Sequence, residues 1–176
     1  MNILQTERLE LRMFRESDFD AYAAMCSDEE VMRYLGDGKP LTRIDAWRSM
    51  AAILGHWQLR GYGLWAVEER ASGAFVGRIG CYFPGGWPGF EVGWALRRTS
   101  WGQGYATEGA RAAMRYAFEK SEQPHVISLI RPGNERSIRV AERLGETLEG
   151  RTEVNGQEAL VYGISRKQWQ LASTEL

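Results

Sequence analysis

Between Phe90 and Lys120 the apolar pattern changes period once, and few folds satisfy both halves of that segment. Phe90-Glu91-Val92-Gly93-Trp94-Ala95-Leu96 reads as a strand from its apolar, β-prone residues. Arg97 and Arg98 follow, then the turn Trp101-Gly102-Gln103-Gly104-Tyr105-Ala106. From Thr107 the spacing becomes helical: Ala110, Ala113, Met114, Ala117 and Phe118 share one face, with Glu108, Arg111, Arg115 and Glu119 opposite. A strand therefore feeds a glycine-rich turn that opens a helix. The free N–H groups of the first helical turn and the positive dipole end make an anion site. Gly102 and Gly104 let a ligand approach the backbone with no Cβ between. A phosphate or pyrophosphate suits such a site; a plain tight connection is the alternative. Two other phosphate motifs fail on spacing. A dinucleotide fingerprint needs Gly or Ala where Thr107 stands, and a P-loop needs Gly-Lys-Ser/Thr, whereas Gly38-Lys39 runs into Pro40.

The flanking sequence supplies the other elements. Leu9, Leu11 and Met13 alternate with Arg8, Glu10 and Arg12, which predicts a half-buried first strand. Capping-box spacings at Ser17/Asp20, Ser27/Glu30 and Thr42/Asp45 predict three helices. The third has an apolar face of Ile44, Trp47, Met50, Ala51, Leu54 and Trp57 and ends near Gly61. Residues 62–68 and 74–83 read as strands of a hairpin, and 84–89 as a loop. Residues 125–130 form a further strand. Asn134 caps a helix with Ile138, Ala141 and Leu144 inward, closed by Gly145. Asn155-Gly156 joins two last strands, 149–154 and 157–165, and a helix follows from Arg166 with Trp169. This is an α+β pattern on a mixed sheet.

A chain of 176 residues suits one domain with a single core. A formal net charge of −1 argues against a nucleic-acid or membrane-surface role. No run nears the ~20 apolar residues of a membrane span, and Met1 to Arg8 shows no signal-peptide pattern. Cys26 and Cys81 make neither a metal pair nor a disulfide framework. A reduced, cytoplasmic location is the simplest expectation.

The string Trp101-Gly102-Gln103-Gly104-Tyr105-Ala106 resembles the acetyl-CoA loop of the GNAT N-acetyltransferase superfamily, Arg/Gln-x-x-Gly-x-Gly/Ala. Tryptophan in the first position departs from the general pattern but, continued through Thr107-Glu108, resembles the RimJ/RimL-like branch. That resemblance runs over nearly the whole chain. It implies one acetyltransferase domain over residues 1–176, in α/β/α layers, on a mostly antiparallel sheet of about seven strands. The sheet would splay at the acetyl-CoA site between residues 90–96 and 125–130. The implied reaction moves acetyl from acetyl-CoA to a primary amine by direct attack, without a metal. The acceptor would be a small-molecule amine or a protein N-terminus, with no nucleic acid or membrane partner and a homodimer as a candidate assembly.

Under this resemblance, N–H groups of Gly102, Gln103, Gly104, Tyr105, Ala106 and Thr107, beside Trp101, would hold the pyrophosphate. Glu91, Gly93 and Ala95 share a strand face whose small residues leave a slot for the pantetheine arm. Backbone groups of Trp94, Ala95 and Leu96 could line that arm as an added strand would. Asn134-Glu135-Arg136-Ser137 matches a second family segment. Ala141 stands where many relatives have the tyrosine that protonates the leaving thiolate, and Glu146 stands where Phe is usual. Ser137 then becomes the candidate acid; on spacing alone it reads first as a first-turn hydroxyl serving its own helix. Glu91 is the candidate base, but a carboxylate near pKa ~4.3 serves only if burial raises it or water relays the proton. Its alternative is an exposed strand residue. Trp65, Tyr82, Trp87 and Glu91 would border the acceptor, although core packing explains the aromatic residues equally well. His56 reads as peripheral and His125 as structural. Ala141 and Glu146 also keep open a non-catalytic acyl-CoA-binding or regulatory domain.

Overall fold

The computed structural model describes residues 3–174. Eight strands form one sheet in the order β1-β2-β3-β4-β5-β6-β8-β7. They are β1 (Leu4–Gln5), β2 (Leu9–Arg12), β3 (Leu64–Glu69), β4 (Phe75–Tyr82), β5 (Glu91–Leu96), β6 (His125–Ile130), β7 (Thr147–Val154) and β8 (Gln157–Ser165). The strand beyond the seven expected is β1, two residues paired to β2. Every neighbouring pair is antiparallel except β5 and β6. Those two run parallel and share one register pair, Glu91 with Ile127, after which they diverge. The expected splay lies there.

Helices cover both faces: α1 (Phe19–Cys26), α2 (Glu29–Met32), α3 (Arg43–Arg60), α4 (Tyr105–Glu119), α5 (Glu135–Leu144) and α6 (Arg166–Thr174). On one face α4 packs on β4 and β5 through Ala110, Ala113, Met114, Ala117 and Phe118, all buried as the periodicity requires. The approach is close, since a Cβ on Gly109 would lie 2.5 Å from the Ile79 side chain. On the other face α1 packs on β4 and α3. None of the described helices is long and apolar enough to cross a membrane.

Four local expectations shift for identifiable reasons. Arg12 is buried rather than on a solvent face, because its guanidinium forks to both oxygens of Asp18 at 2.8 Å and also reaches Glu68. Asp18 in turn accepts the Arg15 N–H, so the turn before α1 is organised by Asp18 and not by a Ser17/Asp20 box. For α2 the cap is Asp28, which accepts from Glu30, in place of Ser27. In α3 the buried face is Ala46, Met50, Ile53, His56 and Trp57, while Ile44 and Trp47 are exposed. The apolar residues of α3 fit two overlapping stripes, and the sheet selects the one that includes a histidine.

Candidate active site

The glycine turn ends with Gly104 at φ +81°, the N-cap of α4, and no side chain caps the helix. The N–H groups of its first turn therefore face a cavity of about 1030 Å³, the larger of an adjoining pair, lined by residues 100–108 among others. A free Glu108 carboxylate in the first turn would oppose an anion there. Its carboxylate is instead held by Thr6, by the Arg8 N–H and by the Arg8 guanidinium at 2.6 Å. Arg8 also donates to the Gln103 carbonyl, fastening the turn to the sheet edge. Arg136 lies over the Trp101 ring, 4.4 Å from its centroid, and adds positive charge to the same cavity. The pairing of sequence-distant Arg8 with Glu108 leaves no motif, and neither residue's role is legible from spacing.

The strand edge beside this cavity is open. Arg97 donates to Val76 across the β4–β5 ladder, so alternation turns the N–H and C=O groups of Trp94 and Leu96 away from β4. The Leu96 carbonyl accepts from the Trp101 indole at 2.9 Å, which leaves the Leu96 N–H and both Trp94 groups for a ligand. Gly93 does not leave an empty slot: a Cβ there would lie 3.2 Å from Glu91 Oε1, because the Glu91 side chain folds over it.

Trp94, Asn134 and Ser137 line both the larger cavity and a smaller one of about 260 Å³. Asn134 caps α5 by accepting the Ser137 N–H at 3.4 Å. The Ser137 hydroxyl is not used by its own helix; it accepts from the Trp94 indole at 3.2 Å, so its proton is available to the cavity.

The smaller cavity holds Glu91, Tyr82 and Trp87. Glu91 is half-buried, and Trp87 donates its indole N–H to Glu91 at 2.7 Å. Desolvation pushes the Glu91 carboxyl up to about 7, although the Trp87 hydrogen bond, the Arg78 charge and the Leu129 N–H pull the other way. The exposed-strand alternative fails. Tyr82 stacks on His56 and meets Trp87 edge to face. His56 is not peripheral. Its Nε2 accepts the Phe83 N–H at 3.2 Å and its Nδ1 faces the Tyr62 carbonyl, so it is the neutral Nδ1–H tautomer supporting Tyr82. Trp65 is excluded from the site: it is fully buried against Trp57 and Tyr116. His125 pairs with Glu149 away from the cavity, as a structural residue would.

Behind the splay lies a group that spacing does not reveal as functional. Glu146 is 2% exposed, and its Oε2 has no hydrogen-bond partner. Ser128 Oγ lies 2.8 Å from the Val92 carbonyl and 3.0 Å from Glu146 Oε1. The Ser128 hydroxyl faces both acceptors, with the shorter contact to Val92. Burial raises the Glu146 carboxyl well above the usual carboxylate range, and the nearby Glu91 charge adds to this. Burial thus favours the neutral form of Glu146, which meets β6 through Ser128 just beyond the end of α5. The absence of the usual phenylalanine was its only sequence signal.

Comparison with known proteins places this geometry in context. An acetyltransferase (GNAT) domain family model matches residues 8–147. The uncharacterized protein YkkB of Bacillus subtilis (strain 168) is 33% identical, over 81% of this chain and 83% of its own length. An uncharacterized N-acetyltransferase of the same organism, YnaD, is 29% identical over 84% of each. Among solved structures, an acetyltransferase from Agrobacterium tumefaciens str. C58 superposes with a TM-score of 0.83 at 32% identity, covering 93% of this chain and 94% of that one. RimL, a ribosomal L7/L12 alpha-N-protein acetyltransferase in complex with coenzyme A, shares the fold at TM-score 0.76 and 20% identity, over 93% and 98% of the two chains.

Proposed function

The chain belongs to the GNAT acetyltransferase family, and we propose that it acetylates a primary amine with Glu91 as base and Ser137 as acid. Enzymes of this family use acetyl-CoA, which supplies the activated acetyl thioester and the thiolate leaving group. The residues present suit it. Uncapped N–H groups at the start of α4, with Arg136 beside them, would hold the pyrophosphate. The free edge of β5 at Trp94 and Leu96 would bind the pantetheine amides.

The observation that carries the proposal is the meeting of the two cavities at Trp94, Asn134 and Ser137, with Glu91 in the smaller one. Glu91, with its carboxyl near 7, takes a proton from the acceptor ammonium, directly or through a water. Ser137, its lone pair engaged by Trp94, gives its proton to the departing sulfur. The cavity at Glu91 suits a small amine or the first residue of a peptide, which agrees with the RimJ/RimL-like resemblance of the Trp101–Glu108 string. The test is thiol release from acetyl-CoA across a panel of small amines and peptide N-termini. Turnover with at least one class, reduced about 10²-fold or more in Glu91→Gln, is the expected result. Tight CoA binding without release above hydrolysis for any amine would favour a non-catalytic acyl-CoA-binding domain.

A further inference from the structure

Three charged side chains line the smaller cavity: Glu91, Arg78 and Arg131. The Arg131 side chain donates once, to the Gly36 carbonyl at 2.9 Å, and the Arg78 guanidinium makes no hydrogen bond to any described residue. No described carboxylate lies within ion-pair distance of either guanidinium. Arg12 shows how this fold treats an arginine that it buries for its own sake, with Asp18 and Glu68 supplied from the chain. Arg78 is half-buried at the centre of the sheet without such a partner. Of the titratable groups that feel its charge, Tyr22 and Cys26 on α1 are neutral near pH 7, and the Tyr22 hydroxyl is engaged with Ser49 at 2.8 Å.

The strand register fixes where Arg78 stands relative to Glu91. Arg78 pairs with Ala95, Gly80 with Gly93 and Tyr82 with Glu91, all on one face of the β4–β5 ladder. The two charged positions are therefore separated by roughly 13 Å along the strands, at ~3.3 Å per residue, with two glycines between them. The Glu91 side chain folds over Gly93 into that interval and feels the Arg78 charge, yet no described carboxylate forms an ion pair with Arg78.

The geometry points to an acceptor that carries a carboxylate as well as its primary amine, the amine at Glu91 and the carboxylate on the fork of Arg78, with Arg131 adding to the positive field. This rests on reading the smaller cavity as the acceptor site. A planar guanidinium matches a carboxylate with two parallel hydrogen bonds. A diamine or polyamine would instead set its second ammonium against two guanidinium groups that lack anions. The carboxylate could belong to a free amino acid or to an acidic side chain near a peptide N-terminus.

The test compares kcat/KM for a series of ω-amino acids of increasing length, each beside its amide, and for short peptides with and without an acidic second residue. Wild type should prefer the acid over its amide by about tenfold or more at one chain length, the size expected of a charge-assisted bidentate contact. The ratio should collapse towards one in Arg78→Leu and survive in part in Arg78→Lys. A preference confined to ω-amino acids identifies a free amino acid, and one confined to acidic peptides identifies an N-terminus; either supports the carboxylate. Equal rates for acids and amides, or a preference untouched by Arg78→Leu, would overturn it while leaving acetyl transfer itself established. If no amine turns over, calorimetry on the CoA-saturated protein decides. Tighter binding of the acids than the amides, lost in Arg78→Leu, supports the inference, and equal or no binding overturns it.

Discussion

On the α4 side of Trp94, the groups proposed to hold acetyl-CoA are mostly main-chain N–H and C=O groups from one continuous run, residues 94–107. On the other side, Glu91, Trp87 and Arg78 are side chains brought together by the β4–β5 register and the loop before it. The first region would owe its chemistry to backbone conformation, so side-chain changes there should matter least except at its glycines. The second owes its chemistry to burial, which sets both the Glu91 carboxyl near 7 and the unpaired state of Arg78. Backbone sites fail by losing binding, and side-chain sites fail by losing turnover or selectivity. Mutations on the two sides should therefore separate in which kinetic constant they move.

The sharpest break should come at Gly104. Its φ of +81° is a conformation that a β-branched residue rarely adopts, and a Cβ there would sit 3.4 Å from the Arg8 guanidinium. Gly104→Val should abolish CoA binding in a calorimetric titration while circular dichroism stays native. Undiminished CoA affinity would mean that the turn is only a connection. A smaller effect is expected at the junction. Ser137→Ala should lower kcat about 10- to 10²-fold with the acetyl-CoA KM nearly unchanged, the low end for acid catalysis because a thiolate leaves readily. Full activity across pH would return Ser137 to a purely structural part in α5.

The smallest effect on rate, and a distinctive one on stability, belongs to Glu146. Its carboxyl titrates higher in the folded chain than in the unfolded one, so its contribution is fully present below about pH 4.3 and fades as pH rises towards the folded value. Glu146→Gln cannot ionise and keeps a donor for Ser128. Its stability, followed by thermal unfolding, should therefore gain on wild type as pH rises above about 4.3, by at most about 1.4 kcal/mol per pH unit. Parallel curves would show that Glu146 is ionised in the fold.

The same division governs what could be read in advance. The period switch at Thr107, the caps at Thr42 and Asn134, the αL stops at Gly61 and Gly145 and the Asn155-Gly156 turn are local, and all stand in the structure. The acceptor side is not local. Ser128 and Glu146 meet only because β6 leaves β5 after Ile127, and Trp65 reads as a pocket wall until its burial against Trp57 and Tyr116 is known. Spacing located the Glu91 strand, yet the desolvation that raises its carboxyl, and the Trp87 hydrogen bond that opposes it, depend on tertiary packing.

The central claim, that burial makes Glu91 the base, is tested most directly by the pH dependence of kcat/KM for the acceptor in wild type and Glu91→Gln. An acceptor whose amine titrates above pH 9 keeps its own ionisation apart. Wild type should show an acidic limb inflecting near pH 7, and in Glu91→Gln that limb should vanish along with most of the rate. A variant that keeps the wild-type limb, with or without a raised acceptor KM, would contradict the assignment.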